Sequence, residues 1–132
     1  MKNEKRWKQR FSNFEKAYSQ FLRALKQDTT NDDLFRAALI QTFEFLFELS
    51  WKTMNDKLEF EGFILKTPRD TLKQALQTGY IENGEMWLEA LDKRNELSHI
   101  YDEILSIKAE KLIRESYAKI FADLYVYFKK SL

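Results

Sequence analysis

The sequence predicts an all-α protein: an antiparallel, up-and-down four-helix bundle with one short extra helix, built as a single domain over residues 1–132. Three glycines and one proline are too few turn formers for a sheet with many hairpins. The apolar fraction of 44%, with eleven Phe, six Tyr and three Trp, is ample for a core. Near both ends of the chain, apolar residues recur in steps of four and three, the spacing of helices that pack side by side along their length.

The first and last helices share this spacing, in steps of four and three residues. In the first helix, which we expect to end near Lys26, the series is Trp7, Phe11, Phe14, Tyr18, Phe21 and Leu25. In the last helix it is Ile113, Tyr117, Ile120, Leu124 and Tyr127, with Ser106 as the expected N-cap. Short connections between the helices predict antiparallel neighbours.

The second predicted helix, about Asp32 to Phe60, is the longest and the most apolar, and it follows a turn segment at residues 28–31. It carries two adjacent apolar stripes, one of Phe35, Leu39, Thr42, Leu46 and Leu49 and one of Phe43, Phe47, Trp51, Met54 and Leu58. So wide an apolar face is more than one neighbouring helix can cover. It indicates that the helix is central to its own bundle, that part of its apolar surface packs against another subunit, or both. We interpret Glu44 and Glu48 as an outer polar strip rather than as paired catalytic carboxylates.

Two shorter helices are marked by their caps. Gly62 is the expected C-cap of the long helix, and Thr67 followed by Pro68 and an acid is an N-cap signature. We predict a helix from Pro68 to Thr78, closed by Gly79, and another that opens at residues 83–85.

Composition narrows the class of protein. The chain has no cysteine, which excludes disulfide frameworks and zinc-finger spacing. Its polar N-terminus does not read as a signal peptide, and no apolar run reaches the length of a membrane span. We therefore expect a cytoplasmic protein that does not contact the membrane.

Charge is unevenly distributed although the chain is nearly neutral at +1. Residues 1–26 hold eight Lys/Arg against two Glu, a balance of +6, and the remainder holds 14 against 19, a balance of −5. The basic segment is interpreted either as a solvated helix face or as a basic lip beside an RNA or nucleotide site.

The stretch from Asp92 to Asp102 contains the one histidine of the chain, His99, with Arg94 before it and Tyr101 after it. Arginine can clamp a phosphate, histidine can carry a proton near neutral pH, and a tyrosine hydroxyl can accept a transferred group. The structural alternative is a surface arginine paired with Glu89, Asp92 or Glu96, a histidine near a helix end and a tyrosine over the core.

Helical geometry separates the two side chains of this candidate pair. Five helical steps place Arg94 and His99 about 140° apart around an ideal helix. A joint site therefore needs a helix break near Ser98, or a second copy of the segment across a two-fold axis. If these residues are catalytic, we expect the protein to be at least a dimer.

The run from Arg94 to Tyr101, Arg-Asn-Glu-Leu-Ser-His-Ile-Tyr, resembles the signature of the HEPN superfamily: Arg, a polar residue, three further residues, then His. The added tyrosine is the form seen in HEPN toxins paired with minimal nucleotidyltransferase antitoxins. Segments 43–53, 67–70 and 85–88 are similar to the nucleotidyltransferase substrate-binding protein family. The resemblance covers roughly residues 5–130.

This resemblance implies a helical homodimer that forms a complex with a small nucleotidyltransferase encoded nearby. Arg94 and His99 would be the catalytic pair of a ribonuclease toxin that needs no metal ion or other cofactor, and Asn95 would support them. The partner would silence the toxin by transferring AMP to Tyr101. The alternative implied by the family is a non-enzymatic subunit that docks the transferase and binds its substrate. The chain lacks the Gly-Ser and paired-aspartate pattern of a transferase active site, so the transferase is another chain.

Overall fold

A computed structural model describes residues 2–30, 32–98 and 102–132, and across these residues the secondary structure is helical. The helices are α1 (Lys2–Leu25), α2 (Asp33–Phe60), α3 (Pro68–Thr78), α4 (Gly84–Leu97), α5 (Glu103–Leu112) and α6 (Ala118–Ser131). A five-residue π-helical segment, Ile113–Tyr117, joins α5 to α6, so these form one interrupted final helix. Within the described residues no helix is both long and apolar enough to cross a membrane.

The up-and-down arrangement is confirmed by contacts between opposite helix ends. At the start of α1, Arg6 and Arg10 form ion pairs with Glu59 and Asp56 near the end of α2. The rings of Trp7 in α1 and Phe128 in α6 have centroids 6.2 Å apart. These contacts make α1 antiparallel to both of its neighbours, as short connections predict.

The remaining two neighbour pairs of the bundle are antiparallel as well. Phe47, in the middle of α2, contacts Trp87 early in α4. Ile40 and Gln41, nearer the start of α2, line a groove together with Leu97 and Ser98 at the end of α4. Trp87 in turn meets Phe121 of α6 edge-on, with ring centroids 5.5 Å apart. The long helices α1, α2, α4 and α5–α6 thus form the four-helix bundle, and α3 is the short extra helix.

The helix caps are confirmed in most places. Thr67 and Asn83 accept hydrogen bonds from the backbone N–H groups of residues 70 and 86, and Gly79 has the left-handed φ of 89° that favours glycine at a helix end. The α2 cap is Asp32, one residue past the predicted turn segment. The prediction that Ser106 caps the last helix is wrong: Asp102 accepts from the N–H of Ile104, and α5 begins at Glu103. An aspartate is as strong an N-cap as a serine, so the helix begins four residues earlier and gains about one further turn.

A buried polar cluster fastens the α1–α2 connection to the final helix. The carboxylate of Glu110, which is 8% exposed, accepts hydrogen bonds from Thr29, Arg36 and Arg114 at 2.6–2.9 Å. Arg114 also donates to the carbonyl of Leu25 at the end of α1. Burial raises the pKa of Glu110, but the hydroxyl and the two guanidinium groups outweigh burial and hold that pKa below its ordinary value.

We predict that Glu110→Gln destabilises the protein by about 2–3 kcal/mol near pH 7, because it removes charge-assisted hydrogen bonds to two arginines. The folded-state pKa of Glu110 is depressed, so its contribution is present above the unfolded-state pKa and is lost as pH falls through the folded one. Urea denaturation at several pH values should show the deficit shrinking below about pH 4.5.

The matched control is Glu115→Gln, an exposed glutamate on the adjoining π-helical segment. It should shift the urea midpoint little at any pH. Equal effects of the two substitutions at pH 7 would contradict the role given to Glu110.

Candidate functional site

Arg94 lies in the last turn of α4, at the edge that faces α2. The same helix buries Trp87, Ala90, Leu91 and Leu97, and Arg94 falls within this inward series at helical spacing. Its side chain is about one third exposed, so the aliphatic stem packs while the guanidinium reaches the surface.

The guanidinium is held by an ion pair across the bundle. Nη2 of Arg94 donates to Oε2 of Glu48 at 2.6 Å, and Nη1 donates to the side-chain oxygen of Asn95 at 3.2 Å. The other carboxylate oxygen of Glu48 lies 3.3 Å from the ammonium of Lys52, one turn along α2. The predicted partners Glu89, Asp92 and Glu96 are therefore wrong: Glu89 accepts from Tyr117, Asp92 pairs with Arg69, and Glu96 pairs with Lys93.

An open groove of about 510 Å³ borders this ion pair. Its walls come from α1, α2 and α4 and consist of Gln20, Ala38, Gln41, Thr42, Glu44, Phe45, Glu48 and Arg94. Phe45 is more than half exposed, which is unusual for a phenylalanine beside a charged pair. The groove thus combines a fixed cation, side-chain amides and an exposed aromatic ring.

The two glutamates of α2 differ in their surroundings. Burial raises the pKa of Glu44, and the positive charge of Arg94 opposes that rise. Glu48 makes the direct contact with Arg94. Together they neutralise much of the positive charge that Arg94 and Lys52 bring to the groove. The interpretation of both glutamates as an outer polar strip is therefore wrong: they are half-buried and line the groove that α2 shares with Arg94 of α4.

A second groove of about 500 Å³ begins where the first ends, with Gln41 and Glu44 common to both. It extends past Leu97 and Ser98 to Glu103 and Ser106 at the start of α5. The end of α4 and the start of α5 therefore both border this second groove.

The helix of the motif ends before its histidine. α4 stops at Leu97, and Ser98 donates its hydroxyl to the carbonyl of Asn95 at 2.8 Å. The break near Ser98, one of the two conditions for a joint site, is therefore present. Arg94 and Asn95 lie at this helix end as predicted, whereas His99 and Tyr101 lie outside the described residues.

Glu48 is the residue of this site whose role the sequence analysis missed, since it was interpreted as part of an outer polar strip. Its identity depends on the register between α2 and α4, which local spacing does not reveal. The one available signal is a pair of glutamates at i and i+4 within an aromatic run, on a helix whose neighbour carries the motif arginine.

In residues 2–30, 32–98 and 102–132, no three His or acidic side chains are grouped so as to hold a metal ion.

Comparison with known proteins supports the family suggested by the motif. A curated relative, the probable ribonuclease HepT of Haemophilus influenzae, is 34% identical over 87 residues, which are 58% of this chain and 56% of that protein. The chain thus matches little more than half the length of this relative. The fold resembles a Thermus thermophilus protein with a TM-score of 0.76 at 25% identity, covering 84% of this chain and 94% of that one.

A second solved structure, from Haemophilus influenzae, is described as revealing the fold of a substrate-binding domain of a nucleotidyltransferase. It has a TM-score of 0.66 at 25% identity and covers 93% of this chain and 96% of that one. The family model described as nucleotidyltransferase substrate binding protein like matches residues 9–130. The chain belongs to this nucleotidyltransferase substrate-binding family.

Proposed function

We propose that the protein is a HEPN-type partner of a separately encoded minimal nucleotidyltransferase and acts in the cytoplasm as the ribonuclease toxin of a toxin–antitoxin pair. The observation that carries the proposal is that Arg94 is fixed at the rim of an open groove, five residues before the only histidine in the sequence. A relative named as a probable ribonuclease supports the same reading.

The residues suit cleavage of RNA without a metal ion. Neutral His99 would take the proton of the ribose 2′-hydroxyl as its oxygen attacks the adjacent phosphorus. The bond to the 5′-oxygen breaks, and that oxygen leaves as a 5′-hydroxyl after taking a proton from water. Arg94 would stabilise the charge that develops on the phosphoryl oxygens. A guanidinium has five N–H donors, and Glu48 and Asn95 occupy two of those of Arg94, which leaves donors for a phosphate.

Glu48 positions this arginine in the proposed reaction. A flexible arginine loses side-chain entropy when it grips a phosphate, and a fixed carboxylate partner on a neighbouring helix removes part of that cost beforehand. Asn95 restrains the same guanidinium from the other side. Both contacts orient Arg94 without touching the reacting atoms.

Silencing by the partner fits the position of Tyr101 in the motif. Its phenolic oxygen would attack the α-phosphorus of a nucleoside triphosphate held by the transferase, forming a phosphodiester and releasing pyrophosphate and the phenolic proton. The attached AMP would bring negative charge and bulk within two residues of His99. Inhibition would then need no refolding of the bundle.

A homodimer is part of this proposal, with Arg94 of one protomer and His99 of the other in one site. The exposed face of α2 beside the groove carries Leu34, Ala38 and Phe45, and the first turns of α5 carry the exposed Ile104 and Ile107. An apolar face of this kind favours burial against a second copy. The end of α4 at Leu97 also permits the two side chains to meet within one chain.

The alternative is a non-enzymatic subunit that docks onto the nucleotidyltransferase and binds its substrate. The family description and the description of the second solved structure favour it. So does the neutralisation of Arg94 by Glu48, since a carboxylate already occupies part of its phosphate-binding fork. The two functions differ in whether His99 performs chemistry.

Induced expression without the partner should arrest bacterial growth for the wild type, whereas His99→Ala and Arg94→Ala should grow normally because each lacks one half of the catalytic pair. Co-expression of the neighbouring nucleotidyltransferase should relieve the arrest. Tyr101→Phe should stay toxic in its presence, because it has no hydroxyl to receive AMP. Normal growth with all variants, together with intact RNA in the presence of purified wild-type protein, would support the non-enzymatic subunit.

Heterodimers of Arg94→Ala and His99→Ala protomers, purified through two different tags, should recover about half of the wild-type RNA cleavage rate. One of their two composite sites has an intact arginine and an intact histidine, and the other has neither. Each variant homodimer serves as the inactive control. Heterodimers as inactive as the homodimers would place both side chains of each site within one chain.

A further inference from the structure

The surface of α1 opposite the core carries an uninterrupted polar stripe. It consists of the exposed residues Lys5, Gln9, Asn13, Lys16, Gln20 and Arg23. Their steps of four and three residues span 18 positions, which are five full turns of about 27 Å, so the six side chains lie along one line of the helix. The stripe contains three cations and three amides and no carboxylate.

The cations of this stripe differ from the other cations of α1 in their partners. Arg6, Lys8 and Arg10 form ion pairs with Glu59, Glu4 and Asp56. In the described part of the chain, no carboxylate lies within ion-pair distance of Lys5, Lys16 or Arg23.

The acidic residues of α1 are also engaged elsewhere. Glu4 pairs with Lys8, and Glu15 binds both Lys129 and the hydroxyl of Tyr125. The positive balance of the N-terminal segment is therefore concentrated on the solvent-facing line of the helix. A face that served only solubility would gain from carboxylates interspersed among the cations, and this one has none.

The stripe is continuous with the groove of Arg94. Gln20 belongs to both, since it forms the α1 wall of that groove opposite Arg94 and Glu48. Lys16 lies one turn before Gln20 and Arg23 about one turn after it, so the residue of α1 that lines the groove has a cation on either side along the stripe.

We propose that this α1 stripe binds the backbone of single-stranded RNA and guides it into the Arg94 groove; the inference rests on the proposed ribonuclease function. Phosphates are contacted by lysine and arginine, and side-chain amides bond phosphate, sugar and base edges. Phe45, exposed in the groove, offers a ring on which an unpaired base stacks.

The stripe also accounts for RNA binding by a chain of net charge +1. Electrostatic attraction between a protein and a polyanion acts over about 10 Å at 0.1 M salt, so the local field of the stripe counts and the acidic remainder of the chain counts little. A protein with a net charge near zero can therefore bind RNA at this one surface.

The test uses the non-cleaving His99→Ala protein and a fluorescein-labelled single-stranded RNA of mixed sequence, with binding measured by fluorescence anisotropy between 50 and 300 mM KCl. Adding Lys16→Glu and Arg23→Glu should weaken binding at least tenfold at low salt. It should also reduce the slope of log affinity against log salt by about 1.4, since each phosphate contact on a single strand contributes about 0.7. In the otherwise wild-type protein the same pair should raise KM for RNA more than it lowers kcat.

The matched control is Lys66→Glu with Lys73→Glu, two exposed cations on and before α3 that make the same change in net charge. It should leave affinity and salt slope near those of the parent. Light scattering and thermal unfolding should show that both double variants keep the parent fold and oligomeric state.

Four results would overturn the proposal. If the wild type cleaves RNA and the stripe variant binds and cleaves equally well, the stripe is wrong and the ribonuclease function stands. If the His99→Ala parent does not bind RNA and the wild type does not cleave it, both proposals fail. If the stripe variant loses only the nucleotidyltransferase, the stripe is a protein-docking surface, and if it loses only the dimer, the stripe belongs to the subunit contact.

Discussion

The aromatic layer at the centre of the bundle fixes the site. Phe43 and Phe47 on α2 pack against Tyr117 and Trp87, and Phe121 closes the cluster from α6. All five side chains are at most 2% exposed, and each large ring buried in this way adds a substantial share of the folding free energy. This layer sets the register of α4 against α2, and that register brings Glu48 opposite Arg94.

The π-helical segment Ile113–Tyr117 also helps to set the position of α4. It turns Tyr117 into the core, where its hydroxyl donates to Glu89 of α4 at 2.9 Å. Burial and the neighbouring Glu89 carboxylate raise the pKa of this tyrosine well above its ordinary value, so it remains a neutral hydrogen-bond donor. The polar contact ties the middle of α4 to the final helix and leaves the end of α4, with Arg94, free to face the groove.

Local sequence signals were sufficient for the fold. The four-three spacing of the outer helices, the caps at Thr67 and Asn83, and the scarcity of glycine each act within one or two turns of chain, and the helices lie where these signals place them. Ser106 failed as a cap because Asp102 offers an equally strong cap four residues earlier. The predicted pairing of Arg94 with acids of its own helix failed because tertiary packing supplies a better partner from α2.

The candidate site was only partly predictable for the same reason. A motif identifies Arg94, Asn95, His99 and Tyr101, but their joint geometry depends on where α4 ends and on which surface faces a second copy. The groove and the position of Glu48 arise from contacts between helices far apart in sequence, whereas the α1 stripe follows from helical spacing within one helix. In the groove Glu44 and Glu48 offset the charge of Arg94, whereas the α1 stripe beside it carries cations without carboxylates.

The central claim is that Arg94 and His99 cleave RNA by activating its own 2′-hydroxyl. The most direct measurement is the chemistry of the ends left by purified wild-type protein acting on a defined single-stranded RNA in excess EDTA. The account predicts cleavage that leaves a 2′,3′-cyclic phosphate and a 5′-hydroxyl, because the 2′-oxygen displaces the 5′-oxygen. Intact RNA, or products that end in a 3′-hydroxyl and a 5′-phosphate, would contradict it.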